Sequence, residues 1–109
     1  MRNIAIIGSG PVGLVAAHGL LKAGYNVTLY SDRTAEQWLN ESKPTGTAAR
    51  FNAALDVERG LGLAFWDDMP VKGEGVFLSF CPSVGNQLLA MKARFRKPFM
   101  AVDLRLQCS

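Results

Sequence analysis

Apolar positions fall in short blocks along the chain, and their spacing predicts the elements. Asn3–Ile7 (NIAII) is an isoleucine-rich run closed by Gly8, the pattern of a buried parallel strand. In Gly13–Ala23 the residues Leu14, Ala17, Leu20 and Leu21 recur on one helical face. Pro11 suits the first turn of that helix, where a missing amide hydrogen removes no bond, and Gly24 suits its end. Tyr25–Tyr30 (YNVTLY) is a second strand, β-branched and aromatic. Strand, glycine turn, helix, glycine and strand together predict a right-handed βαβ crossover over residues 1–33.

Beyond it, residues 31–47 are polar and read as a connection with one short helical turn around Ala35–Leu39. From Ala48 to Leu61 the positions Phe51, Ala54, Leu55, Glu58 and Leu61 predict an amphipathic helix. Phe65, Trp66 and Met69 form a bulky stretch that covers another surface. Val76–Cys81 and Leu88–Phe95 flank Pro82–Gln87 as an antiparallel hairpin, and Val102–Leu106 begins a further element. A hairpin adds no crossover to a parallel sheet, so the chain holds parts of two sheets. The fold class predicted is α/β, a Rossmann-like βαβ unit followed by a helix and a hairpin. The expectation is an N-terminal portion of a longer protein, or one that borrows surface from a copy of itself as a homo-oligomer.

Composition narrows the functional classes. With 49% hydrophobic and 19% charged residues the chain is globular material, and no run approaches the roughly 18 apolar residues that span a bilayer. Met1–Ile7 is too short and too weakly charged for a secretory leader, so a cytoplasmic protein that inserts in no membrane is expected. The net charge of +3 suits a polyanionic ligand, but the basic residues are too scattered for nucleic acid. Lys92, Arg94, Arg96 and Lys97 read as a solvated face. Cys81 and Cys108 have no metal or redox spacing and read as reduced thiols. His18 reads as structural, Asp67 and Asp68 as solvated charge before Pro70, and no metal site is expected.

The candidate chemistry lies in Gly8-Ser9-Gly10-Pro11-Val12-Gly13. In this motif Gly8 turns out of the strand, Gly10 lets the backbone approach a pyrophosphate, and Gly13 lets the helix pack close. The helix start then offers unpaired amides and partial positive charge to the phosphates. An acidic residue about 20 positions on ordinarily holds the ribose. Here Ser31 ends the strand and Asp32 follows, either of which can take that role. Arg33 suits adenine, a phosphate, or the 2′-phosphate of NADP; a solvated Asp32–Arg33 pair is the plainer alternative.

The run Phe51-Asn-Ala-Ala-Leu-Asp-Val-Glu-Arg-Gly-Leu-Gly-Leu-Ala-Phe-Trp66 resembles the segment that follows the first βαβ unit in the styrene monooxygenase family and its indole oxygenase relatives. Val27–Arg33 and Ala101–Leu106 agree with that family in the same order. The resemblance implies a two-component monooxygenase that binds FAD, draws reduced flavin from a separate flavin reductase, and oxygenates a small apolar aromatic alkene or indole. It implies residues 1–64 as the start of the FAD-binding domain, 65–100 as part of a substrate-binding domain, and 101–109 as the return. Lys43 stands where the family carries arginine and lacks the bidentate fork. If Arg105 matches the family's returning arginine it lies near the flavin phosphates or ribityl chain; an ion pair with Asp103 is the alternative. An NAD(P)-dependent oxidoreductase with the same loop, and an inactive truncated module, are the rival readings.

Overall fold

A computed structural model of the chain describes residues 1–44, 46–68 and 72–109. The predicted βαβ unit is present. Strand β1 (Asn3–Ile7), helix α1 (Pro11–Lys22) and strand β2 (Asn26–Tyr30) follow one another, with the strands parallel from Asn3↔Asn26 to Ile7↔Tyr30. Ile4, Ile6, Val27 and Leu29 are half-buried while their neighbours are exposed, the alternation of a sheet covered on one face. That cover is α1, whose Ala17 is buried. Helix α1 starts at Pro11, as the place given to that residue in the first turn implies, because proline's fixed φ is already helical.

The short helix α2 (Ala35–Asn40) is fixed by a reciprocal cap in which Thr34 and Gln37 each bond the other's backbone amide. The expected helix over Ala48–Leu61 is two elements. Thr47–Arg50 forms strand β3, and helix α3 (Asn52–Leu61) begins only after Phe51. The alanines at 48 and 49 favour helix by propensity. Antiparallel pairing with a distant strand, from Thr47↔Asp103 to Arg50↔Met100, overrides them.

The hairpin is strands β4 (Lys72–Phe80) and β5 (Leu89–Asp103), and the second sheet runs β3-β5-β4. Strand β5 does not stop near Phe95 as expected. Gly75 faces Arg94 while Gly73 faces Phe99, so residues 95–98 bulge opposite Glu74, and Pro98 sits where no regular ladder bond is required. Beyond the bulge the strand runs on to Asp103. Val102–Leu106 is likewise split: Asp103 ends β5 and caps helix α4 (Leu104–Cys108). Met69 and Pro70 lie outside the described residues.

The core gathers Leu55, Met100, Val102 and Cys108, with Ala17 from α1; Val102 is 1% exposed. It lies where the last residues of β5 meet α3, α4 and the helical face of the βαβ unit. Between β3 and α3 it also holds an ion pair, Arg50 Nη2 to Glu58 Oε1 at 2.9 Å, both side chains more than nine-tenths buried. Away from this core the hairpin is exposed: the facing pairs Leu78↔Met91 and Phe80↔Leu89 leave all four side chains more than half open to solvent.

Candidate functional site

Three segments meet at the C-terminal ends of the parallel strands: the β1–α1 loop, the residues just past β2, and α2. Gly8 leaves β1 with φ 108°, a backbone geometry that side chains resist, and donates its amide to the Tyr30 carbonyl (2.8 Å). The loop is thereby closed onto β2. Gly10 caps α1 in an extended conformation, and its carbonyl accepts the first helical bond, from Leu14 (3.0 Å). Pro11 has no amide hydrogen, so helix geometry leaves the Val12 and Gly13 amides without acceptors inside the helix. There is no acidic residue in the first turn to oppose an anion.

A Cβ on Gly13 would stand 2.1 Å from the Gly8 carbonyl oxygen, so this glycine is what lets the helix seat against the turn. A Cβ on Gly10 would meet nothing within 4 Å. The bend is therefore open rather than filled by its own side chains. Free amides, an open approach and the positive end of a twelve-residue helix fit the phosphates of a dinucleotide.

Ser9 behaves differently from its neighbours. It is buried, and its Oγ accepts from the Trp38 indole N–H (2.9 Å) and pairs with Ser31 Oγ. Ser31 accepts from the Arg33 amide (3.1 Å) and donates to the Arg33 carbonyl (2.7 Å), so Ser9 supplies the proton between the two hydroxyls. What Ser9 offers outward is its backbone. Arg33 lies over the Trp38 ring with its Cζ 4.9 Å from the centroid, and its Nη1 donates to Ser42 Oγ (3.0 Å). Its Nε stands 3.6 Å from the Asp32 carboxylate, which is exposed at the rim.

The remaining residues singled out from the sequence lie elsewhere. Lys43 is exposed in the connection after α2. Arg105 sits on α4, which packs against α1 and α2, and its guanidinium is taken by Asp103 at 2.8 Å. That contact holds the Asp103 carboxyl below the usual carboxylate range and raises Arg105; Asp103 also accepts the Arg105 amide as the α4 cap. Asp67 is exposed, as expected of a solvated charge, and also pairs with Arg59 at 2.9 Å, a hydrogen bond that lowers its carboxyl pKa. Trp38 and Ser42 were not legible as site residues, because they fall in a polar stretch without period.

Behind the loop a cavity of about 230 Å³ is lined by Pro11, Leu14, His18, Phe65, Trp66 and Cys108, with the Arg50–Glu58 pair at its wall. Burial pushes the Cys108 thiol up, and Cys81 is exposed; both are free. Among the described residues no helix is long and apolar enough to cross a membrane.

Comparison with known families bears on the loop directly. Residues 6–35 match an NAD(P)-binding Rossmann-like domain. The matched stretch runs from within β1 to the first residue of α2, and so contains every glycine of the loop together with Ser31, Asp32 and Arg33. It assigns this segment to the Rossmann-like dinucleotide-binding class, of which FAD and NAD(P) are both ligands. No curated protein matches the chain.

Proposed function

We propose that the chain carries the FAD-binding part of a two-component flavoprotein monooxygenase of the styrene and indole oxygenase type. The observation that supports this most is the open approach at Gly10, set between the free amides of α1 and the Ser31–Arg33 end of β2. In this reading the backbone of Gly8, Ser9, Gly10, Pro11, Val12 and Gly13 wraps the pyrophosphate, and Asp32 takes the adenosine ribose. Arg33 stands at the adenine end. Lys43 approaches the phosphates from the side, while Arg105 stays paired with Asp103. Residues 1–64 then begin the cofactor domain, 65–100 belong to the substrate side, and 101–109 return the chain.

When bound, reduced flavin supplies the activation of dioxygen and the transfer of one oxygen atom. The chain's own part is to hold the cofactor and to keep water away from an apolar substrate. The aromatic and aliphatic wall of the cavity behind α1, with Phe65, Trp66 and Leu14, supports a flat apolar aromatic substrate. A separate flavin reductase is the partner this chemistry requires.

Titration of the purified chain with FAD, followed by flavin fluorescence, is expected to show saturable binding. Consumption of an indole or styrene in the presence of a flavin reductase and NADH is the second expectation. Absence of flavin binding in the wild type removes the proposal.

An NAD(P)-dependent oxidoreductase is the second reading. It is favoured by Arg33, a cation fixed beside Asp32 by Trp38 and Ser42, where a 2′-phosphate is recognised. Tighter binding of NADPH than of FAD, lost on Arg33→Ala, would decide for it.

A further inference from the structure

We infer that Trp38 is a positioning residue for the phosphate loop, acting through the Ser9 hydroxyl; the inference rests on the dinucleotide reading of that loop. Ser9 lies between the two glycines that shape the cradle, and flexible loop backbone binds a diphosphate only after being ordered. Ordering in advance strengthens binding by removing that entropic cost. The Gly8 amide bond to Tyr30 fixes one side of the loop, and the helix start at Gly10–Pro11 fixes the other. The residue between them is tied by its side chain, through two bonds. Buried Ser9 accepts from Trp38 Nε1 at 2.9 Å and shares a proton with Ser31.

Trp38 is itself held from several directions. The Thr34–Gln37 cap sets the first turn of α2, the Arg33 guanidinium covers the indole face, and α2 packs against α4. The indole N–H is thus delivered to Ser9 from an element that is rigid by local bonds. Its loss frees the loop without opening the core, since Trp38 is only half-buried and none of the core residues belongs to α2. Because the hydroxyl is occupied by Trp38 and Ser31, Ser9→Ala acts through loop order and not through a lost phosphate contact.

Trp38→Phe keeps the ring and removes the N–H. It is expected to weaken FAD and ADP alike by about five- to tenfold, the size of one net hydrogen bond, while adenosine binding stays unchanged. Ser9→Ala should lose at least as much, since it also removes the Ser31 bond, and the double variant should lose no more than Ser9→Ala alone. Amide hydrogen exchange at Gly10, Val12 and Gly13 in the free protein should quicken in both. Wild-type affinity for FAD and ADP in Trp38→Phe, or additive losses in the double variant, would overturn the inference. Should Trp38→Phe fail to fold, Ser9→Ala carries the same test. If the wild type binds neither FAD nor ADP, the cofactor reading falls, and unchanged exchange at the three amides overturns the fastening as well.

Discussion

A methyl group on Gly13 would collide with the Gly8 carbonyl, while one on Gly10 would project into open space. Gly13→Ala is therefore expected to lower stability by about 1–3 kcal/mol, as overpacking does, read from the urea midpoint. Gly10→Val should lower that midpoint less, through the poorer helix cap alone, and abolish FAD binding by filling the phosphate approach. Equal stability loss in both variants would mean that the motif serves packing alone. These roles were legible in the sequence because each glycine's spacing encodes its geometry. The Ser9 hydroxyl was not, since its partner Trp38 reaches it only through the placement of a six-residue helix. For Arg105 the sequence left two partners open, and the geometry places it on Asp103.

Among the elements, β3 and α3 are joined by the Arg50–Glu58 pair, whose Arg50 Nη1 and Glu58 Oε2 find no partner among the described residues. Removing one member leaves a buried charge alone. Arg50→Met is expected to destabilise by about 3–5 kcal/mol, and Arg50→Met with Glu58→Leu to recover most of it, in chemical denaturation. Two surface carboxylates, one capping α4 and one paired with α3, add a pH dependence. The lowered carboxyls of Asp103 and Asp67 stabilise the folded chain above the ordinary carboxylate range. That contribution is lost as pH falls through their depressed values. A series of denaturation midpoints taken into acid should fall, and less steeply in Asp103→Asn. Neither β3 nor the far half of β5 was legible, for one reason. Their assignment depends on pairing Thr47–Arg50 with residues 100–103, a long-range contact that outweighs the helical spacing of Ala48–Leu61 and the interruption at Pro98. The βαβ unit was legible because its two strands pair across a single intervening helix whose start, face and end are each marked by residue type.

The whole molecule is drawn out, with a radius of gyration of 17.7 Å where a compact chain of about this size has roughly 13 Å. The hairpin carries a concentrated part of its exposed apolar surface, since one face of it sets Leu78, Phe80, Leu89 and Met91 in direct opposition. A surface of that kind binds hydrophobic dyes even in the native state. The native chain is expected to enhance ANS fluorescence, and Leu78→Lys to reduce the signal while leaving the thermal midpoint unchanged. That two sheets are present followed from the order of blocks in the sequence. Their proportions did not, because the length of β5 is set by a bulge that composition does not announce.

The buried guanidinium and carboxylate between β3 and α3 also constrain how this sequence can drift. Each tolerates change only if the other changes with it, so an all-apolar version is separated from the present one by a poorly folded intermediate. Over generations the two positions are free to travel as a couple and barred from travelling singly.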